Sequence, residues 1–500
     1  MPSKFSRRRF LESVGIVCAT ASFAGCSSLS GDETPSDTAP ASNPTGRSPS
    51  TSPTSTPTTT LTPTRNTPLT TPTPSGTDTT TPAQSTQASQ ITATDGDTDD
   101  EFGYTVAVSG DGSTAIVGAS GDKGPNGNRA GSVYVFSATG TSWVQEAKLT
   151  PGNGQTGDKF GRAVAVSEDG STTIVGANDD DNLNGENAGS AYVFSRTDDS
   201  WTQEAKLTAG DGGAGDWFGR AVAVASDGET ALIGAPFDQQ PNGEHAGSAY
   251  VFSKTGGSWS QEAKLAAEDG DSNDEYGSAV ALSSDGSTAL IGAPSDEDPN
   301  GSTAPTSSQV VDGGPGGSAY VCTRTDGSWS QKAKIAANDG DARDEFGNAV
   351  AVSGTTAVIG APNDEDPNGP SSGIGGAGSA YVFSGADGSW SQETKLAAND
   401  GEPNDRFGES VGISDDASTI IVGAIFDDTS NGRNAGSAYK FSMQSGSWTQ
   451  DAKLTVNNGE PSDLFGGAVA VSATGATVLS GAFIDDTTNG TDTGAAYVFE

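Results

Sequence analysis

The chain has 500 residues, with 65 Asp and Glu against 25 Lys and Arg, a net charge of −40, 69 Gly and only 32% apolar residues. Such a charge argues against a nucleic-acid binder, which needs a basic surface, and so much glycine argues against a helical fold, because Gly costs about 1 kcal/mol per helical position relative to Ala. One His and three Cys are too few for most zinc, haem or disulfide frameworks.

Residues 1–26 read as an address. Ser6-Arg7-Arg8-Arg9-Phe10-Leu11 resembles the twin-arginine signals that export folded proteins. The weakly apolar stretch 14–24 is shorter than the ~20 residues of a membrane span. It runs into Phe23-Ala24-Gly25-Cys26, which resembles a lipobox. Cys26 is therefore the expected lipidation site, and the protein is expected to meet the membrane only through that lipid, on the extracellular face; the alternative is a plain signal cut near Ala24. Cys18 would leave with the signal, Cys322 alone would remain, and no internal disulfide could form. Residues 27–84 are rich in Thr, Ser and Pro, with 11 of the 25 prolines between Pro35 and Pro82. Such a segment cannot bury enough apolar surface to offset chain entropy and reads as a disordered stalk, of a composition typical of O-glycosylated spacers.

The remainder, 85–500, is periodic. An aromatic-Gly pair recurs at Phe102-Gly103, Phe160-Gly161, Phe218-Gly219, Tyr276-Gly277, Phe346-Gly347, Phe407-Gly408 and Phe465-Gly466, with spacings of 58, 58, 58, 70, 61 and 58 residues. Each pair opens four runs of strand length, in the second repeat FGRAVAVS from Phe160, STTIVGA from Ser171, GSAYVFS from Gly189 and WTQEAKL from Trp201. All are alternating, β-branched or aromatic and bounded by Gly, Asp and Asn. Seven units of four strands predict an all-β fold, a seven-bladed β-propeller. Ala and Val alternate in the first strand, as suits a crowded axis flanked by neighbouring blades. The fourth strand, opened by a Trp in six repeats, has the polar alternation of an outer edge. The seventh repeat stops at Phe499-Glu500 after its third strand. Leu or Ile stands 11 residues before the aromatic in every other junction, and counting back from Phe102 lands on Ile91. Residues 85–94 are therefore expected to supply the outer strand of blade seven and close the ring, removing two open edges.

The aromatic-Gly start, with Gly234-Ala235-Pro236, Gly292-Ala293-Pro294 and Gly360-Ala361-Pro362 at the end of the second strand, resembles FG-GAP repeats, which build the seven-bladed head of integrin alpha chains. The resemblance covers residues 85–500 and implies ligand binding on the face that carries the long loops. Integrin calcium loops lie between strands one and two. Here those connections are short turns such as Asp111-Gly112 and Gly354-Thr355, so those sites do not carry over. Residues 1–83 hold six basic and five acidic residues, so the charge belongs to the head. An acidic shell over an uncharged core resembles proteins of salt-loving archaea.

Asp-x-x-x-Asn-Gly recurs between strands two and three in all seven repeats. Its bland reading is a turn, with Asn-Gly reversing the chain and Asp bonding nearby N–H groups. Its functional reading is calcium, because oxygens at alternate residues before a Gly suit a hard cation. On that reading Asp296, Asp298 and Asn300 form one candidate set, Asp364, Asp366 and Asn368 a second, and Asp180, Asn182 and Asn184 a third. None has the late bidentate Glu of an EF-hand loop. The Asp two residues before each aromatic reads as a turn cap. Asn300 and Asn489 head possible N-glycosylation motifs in exposed loops. His245 reads as a surface loop residue and Cys322, in place of a strand-three Phe, as a buried small hydrophobe.

One variable His allows no Ser-His-Asp set, and the carboxylates are too numerous to single out a glycosidase pair; no catalytic residue is assigned. The expected function is that of a lipid-anchored surface protein whose head binds a protein or glycan through its long loops, in adhesion or envelope organisation. The alternatives are an extracellular propeller enzyme acting on polysaccharide and a structural envelope module without a specific ligand.

Overall fold

Short runs rich in Ala, Val, Ile and Gly cannot cover both faces of a sheet alone, and stacking seven such sheets radially supplies the cover. The computed structural model describes residues 83–85, 89–140, 142–198, 200–297, 316–365, 376–386 and 388–500, all within the unit Asp78–Glu500. The described residues form seven sheets, each built on four antiparallel strands. Blade two shows the plan, with strands Ala163–Val166, Thr172–Ala177, Ser190–Thr197 and Ser200–Leu207 in simple sequential order. First strands of successive blades pack against one another round the axis, and Ala468–Val471 of blade seven meets Phe102–Val108 of blade one. The dry layer is the second strand, in blade two buried at all six residues, while the first strand keeps partial access to solvent at Ala165 and Val166. The core is thus a series of slabs between blades, as where Ile116, Val133 and Leu149 of blade one meet Phe160, Val175 and Tyr192 of blade two.

In blades one and six the first strand begins at the aromatic-Gly pair itself, whereas elsewhere the pair acts as a clasp. In blade two the first strand starts only at Ala163, and Phe160 instead bridges to Gly131 of blade one. A Cβ on Gly118, in the second strand of blade one, would run into the carbonyl of Gly161 in blade two. The same glycine-on-glycine approach recurs round the ring and closes it at Gly481 and Gly103. Phe160 packs edge-on against Tyr192 and Phe194 at 5.5 and 5.8 Å. Blade four keeps the tyrosine as Tyr320 but replaces the Phe of the pair by Tyr276 and its Phe partner by Cys322; the Tyr276 hydroxyl lies 3.7 Å from Cys322 Sγ, filling the space of the missing ring, and Cys322 is buried, as its sequence position predicts.

The missing outer strand of blade seven is Ser89–Ile91, paired antiparallel with Val498, Tyr497 and Ala496. Ile91 is buried between blades seven and one. The chain just before this strand does something the repeat pattern does not predict: Ala83–Ser85 pairs parallel with Ala452–Leu454 as a fifth strand on blade six, so the head begins at residue 83 and not, as expected, at 85. The chain thus touches the rims of two blades before entering the ring.

The turns between strands one and two are linked into a girdle on the lower face. Gly110 N–H donates to Glu168 O (2.9 Å), Glu168 N–H to Ser226 O (3.2 Å), Ser226 N–H to Ser284 O (3.0 Å) and Ala473 N–H to Gly110 O (3.0 Å). The strand 2–3 loops and the inter-blade loops lie together on the upper face.

Candidate functional site

Two upper-face systems emerge, one repeated and one not. In the repeated system the first residue of each Asp-x-x-x-Asn-Gly motif turns inward: Asp122, Asp180, Asp238, Asp296, Asp364, Asp427 and Asp485 are at most 5% exposed. Each accepts a hydrogen bond from a strand-three tyrosine, for example Tyr192 to Asp180 (3.1 Å), Tyr250 to Asp238 (2.7 Å) and Tyr381 to Asp364 (2.8 Å). In six blades a strand-four lysine (Lys148, Lys206, Lys264, Lys334, Lys395, Lys453) brings its ammonium to 2.5–2.7 Å from the same carboxylate. Five of these lysines also pair with an Asp from the preceding inter-blade loop, as Lys264 does with Asp211 (2.7 Å) and Lys453 with Asp400 (2.7 Å). The Asp before each aromatic caps its turn: Asp158 accepts from Gln155 N–H (2.6 Å) and Asp274 from Asp271 N–H (2.7 Å). Burial, helped by the neighbouring loop carboxylate, pushes Asp158 up to about 6 and Asp274 and Asp344 up to about 7. Burial also opposes the charge on Asp122, but the Gly124 N–H, Lys148 and Ser132 outweigh it and hold that carboxyl below its ordinary range.

This bears on the calcium candidates. Asp180 gives its Oδ2 to both Lys206 and Tyr192, while its buried Oδ1 has no hydrogen-bond partner among the described residues. The Asn182 amide donates to Gly189 O and Ser190 Oγ while its oxygen accepts from Asn184 N–H, and Asn184 donates to Ala209 O (2.8 Å). In this trio a lysine ammonium already stands against the acid and Asn182 is engaged within its own loop. Asp296 and Asp364 likewise face Lys334 and Lys395. Asp298, Asn300, Asp366 and Asn368, like Cys26, lie outside the described residues, as do the insertions at 302–312 and 371–375. Among the described residues no group of three or more His, Cys, Asp and Glu is gathered for a metal. Asn489 is exposed, and its amide nitrogen donates to Ala93 O (2.9 Å), tying the blade-seven loop to the closing segment.

The second system is the axial mouth of the upper face. Immediately before the aromatic-Gly pairs stand Glu101, Lys159, Trp217, Glu275, Glu345, Arg406 and Leu464, all held left-handed at φ 54–60°. Immediately after them stand Tyr104, Arg162, Arg220, Ser278, Asn348, Glu409 and Gly467. In a chain that otherwise repeats itself closely, these two columns change chemistry from blade to blade. The Arg162 guanidinium lies 4.3 Å from the Tyr104 ring centre, and the Tyr104 ring 5.2 Å from that of Phe483. Arg406 pairs with Glu345 (3.2 Å) and Glu409 (3.0 Å). Burial pushes Glu345 up to about 7 against the pull of Arg406, with Glu409 and Glu275 adding to the rise. Burial raises Glu275 too, opposed by Arg220. The mouth is therefore basic at blades two and three, acidic at four and five, and apolar towards seven. A search for recurring motifs passes over these residues because variation is what marks them; the available signal was the pair of non-repeating columns flanking each aromatic-Gly.

Seven segments of the chain, 85–136, 143–194, 201–252, 259–322, 329–383, 390–441 and 448–499, match a family model described as FG-GAP repeat. Each match runs from the outer strand of one blade to the third strand of the next, so the sequence repeat is offset by one strand from the blade. No curated protein matches the chain.

Proposed function

Since the chain belongs to the FG-GAP repeat family, we propose that its propeller is a binding head, an adhesion module that takes a protein or glycan partner at the upper axial mouth. The observation that supports this is the loss of repeat symmetry at that mouth, against its retention in the aspartate–tyrosine–lysine stations and strands. Uniform positions satisfy the scaffold seven times over; varied, half-buried charges and rings on a rigid scaffold are what selective binding requires. On this proposal the twin-arginine segment exports the chain, acylated Cys26 holds it to the outside of the cell membrane, and residues 27–82 space the head from the lipid. No catalytic step is assigned to it. The test is binding of the purified protein to envelope extracts and glycan arrays. Paired Arg220→Ala and Glu345→Gln substitutions are expected to weaken binding about tenfold or more, and Thr255→Ala on the lower face to leave it unchanged. Equal effects from the two faces would overturn the reading.

A second reading, an enzyme acting on polysaccharide, is favoured by one observation. Glu345, pushed up to about 7 mainly by burial, holds a proton near neutrality beside Glu275 and Glu409, as a general acid for glycoside cleavage must. Release of reducing ends from envelope polysaccharide, lost in Glu345→Gln, would establish it; no release by the intact protein would dismiss it.

A further inference from the structure

Blade three departs from the others in one more way. Trp217, Phe237 and His245 form a row of rings on the upper face, with centroids 4.3 Å apart at 36° for Trp217 and Phe237 and 4.5 Å apart at 27° for Phe237 and His245. All three are half-buried. Phe237 is the middle ring, so Trp217 at the axial end and His245 at the outer end each have one face that Phe237 does not take.

The fold does not require these rings. In blade two the counterparts of Trp217 and Phe237 are Lys159 and Asp179, joined as an ion pair at 2.7 Å. In blade six they are Arg406 and Phe426, with the guanidinium 5.9 Å from the ring centre. The counterparts of His245 are Arg129, Asn187, Asn434 and Asp492, all at φ 50–55° like His245 itself at 54°. The other six tryptophans occupy the repeated outer-strand position, so Trp217 alone is unexplained by the repeat. It also sits in the left-handed region, where a bulky side chain costs roughly 1–2 kcal/mol.

The geometry points to the chemistry of a ligand. At 4.3 and 4.5 Å, inclined by 36° and 27°, the rings are stacked face to face, so the aromatic surfaces they offer outward are the outer faces of Trp217 and His245, and not the box of crossed rings that encloses a quaternary ammonium. A flat aromatic face bordered by hydrogen-bonding groups complements a pyranose, whose C–H faces are apolar and whose rim carries hydroxyls. Such groups stand at both ends. Gln239, Gln240 and Glu244 are exposed beside the outer end. At the axial end Arg220, whose N–H donates to Trp217 O (3.1 Å), interacts with Glu275. The strongly negative head disfavours a polyanion at long range, and Arg220, the cation at the axial end, is already offset by Glu275, so a neutral sugar fits the subsite better than a charged one. Resting on the reading of the axial mouth as the ligand seat, we propose that the Trp217–Phe237–His245 row is a subsite for a neutral hexose unit of a glycan partner.

The test titrates the intact protein with laminarihexaose and mannohexaose by calorimetry. At least one is expected to bind. Trp217→Ala and Phe237→Ala should each weaken that binding about tenfold, and Trp217→Phe, which keeps a flat ring, about threefold or less. A double variant, Trp217→Lys with Phe237→Asp, copies the blade-two ion pair; it should fold with an unchanged melt and lose the sugar. If envelope binding depends on Arg220 and Glu345 while neither hexasaccharide binds, or binds equally well to the double variant, the subsite is overturned and the mouth reading stands. If neither hexasaccharide nor any envelope component binds, both fall.

Discussion

Blades six and seven carry the same buried acid against the same tyrosine, Asp427 with Tyr439 and Asp485 with Tyr497. In blade six the fourth strand supplies Lys453, which sits between Asp427 (2.6 Å) and Asp400 (2.7 Å). Blade seven ends before a fourth strand, and the closing segment offers Gln90 instead, whose amide donates to Asp485 Oδ2 (3.3 Å) and the Tyr497 hydroxyl (3.0 Å). The amide keeps the hydrogen bonds but brings no charge, and burial pushes Asp485 up to about 6. Closing a ring with a distant piece of chain thus preserves strand geometry and sacrifices the electrostatics that the local repeat provides.

The comparison is broken most directly by deleting residues 83–94. That removes the outer strand of blade seven, the fifth strand of blade six and the buried Ile91, and should lower the melting temperature by more than about 5 °C. An unchanged calorimetric melt would sink the closure as a source of stability.

A smaller loss separates the two stations. Lys453→Met leaves Asp427 buried without its cation and should cost about 3 kcal/mol, roughly 3–4 °C in a domain of this size. Gln90→Ala removes only neutral donors and should cost about 1 kcal/mol. Denaturant titration giving the reverse order would show that charge is not what distinguishes the blades.

Asparagine substitutions sharpen the contrast, because their signs should be opposite. A carboxyl with a folded pKa of about 6, against about 3.9 unfolded, destabilises the fold progressively as pH rises from about 4 to about 6 and by a constant amount above that. Asp485→Asn removes this cost while keeping an acceptor for Tyr497. It should therefore stabilise the head at pH 8 and have no effect below pH 4. Asp427→Asn forfeits the Lys453 ion pair and should destabilise at pH 8. Urea unfolding of both variants at pH 8 and pH 4 measures the difference; the same sign at pH 8 would refute the argument.

The smallest effect expected is none. Since lysines neutralise the loop acids in six blades, chelator at constant ionic strength should move the melt by less than about 1 °C. A larger shift, abolished by Asp364→Ala, would assign calcium to the loop beginning at that residue.

Much of the scaffold was legible before any coordinates. The 58-residue spacing of aromatic-Gly pairs, the four short runs after each and the count back to Ile91 determined the number of blades, the order of their strands and the closure of blade seven. That succeeds because strands and tight turns are specified by neighbouring residues, and sevenfold repetition makes a weak local signal unmistakable. The partners of the acids were not legible. Asp427 meets a lysine 26 residues on, and Asp485 a glutamine nearly 400 residues earlier. The parallel strand Ala83–Ser85 was invisible for the same reason, since no repeat contains it. The axial mouth was hidden in another way: its residues are scattered singly along the chain and become neighbours only when seven first strands converge on one axis. Local chemistry determines each blade; only the ring decides which charges and rings face one another, because those contacts cross interfaces that no single repeat encodes.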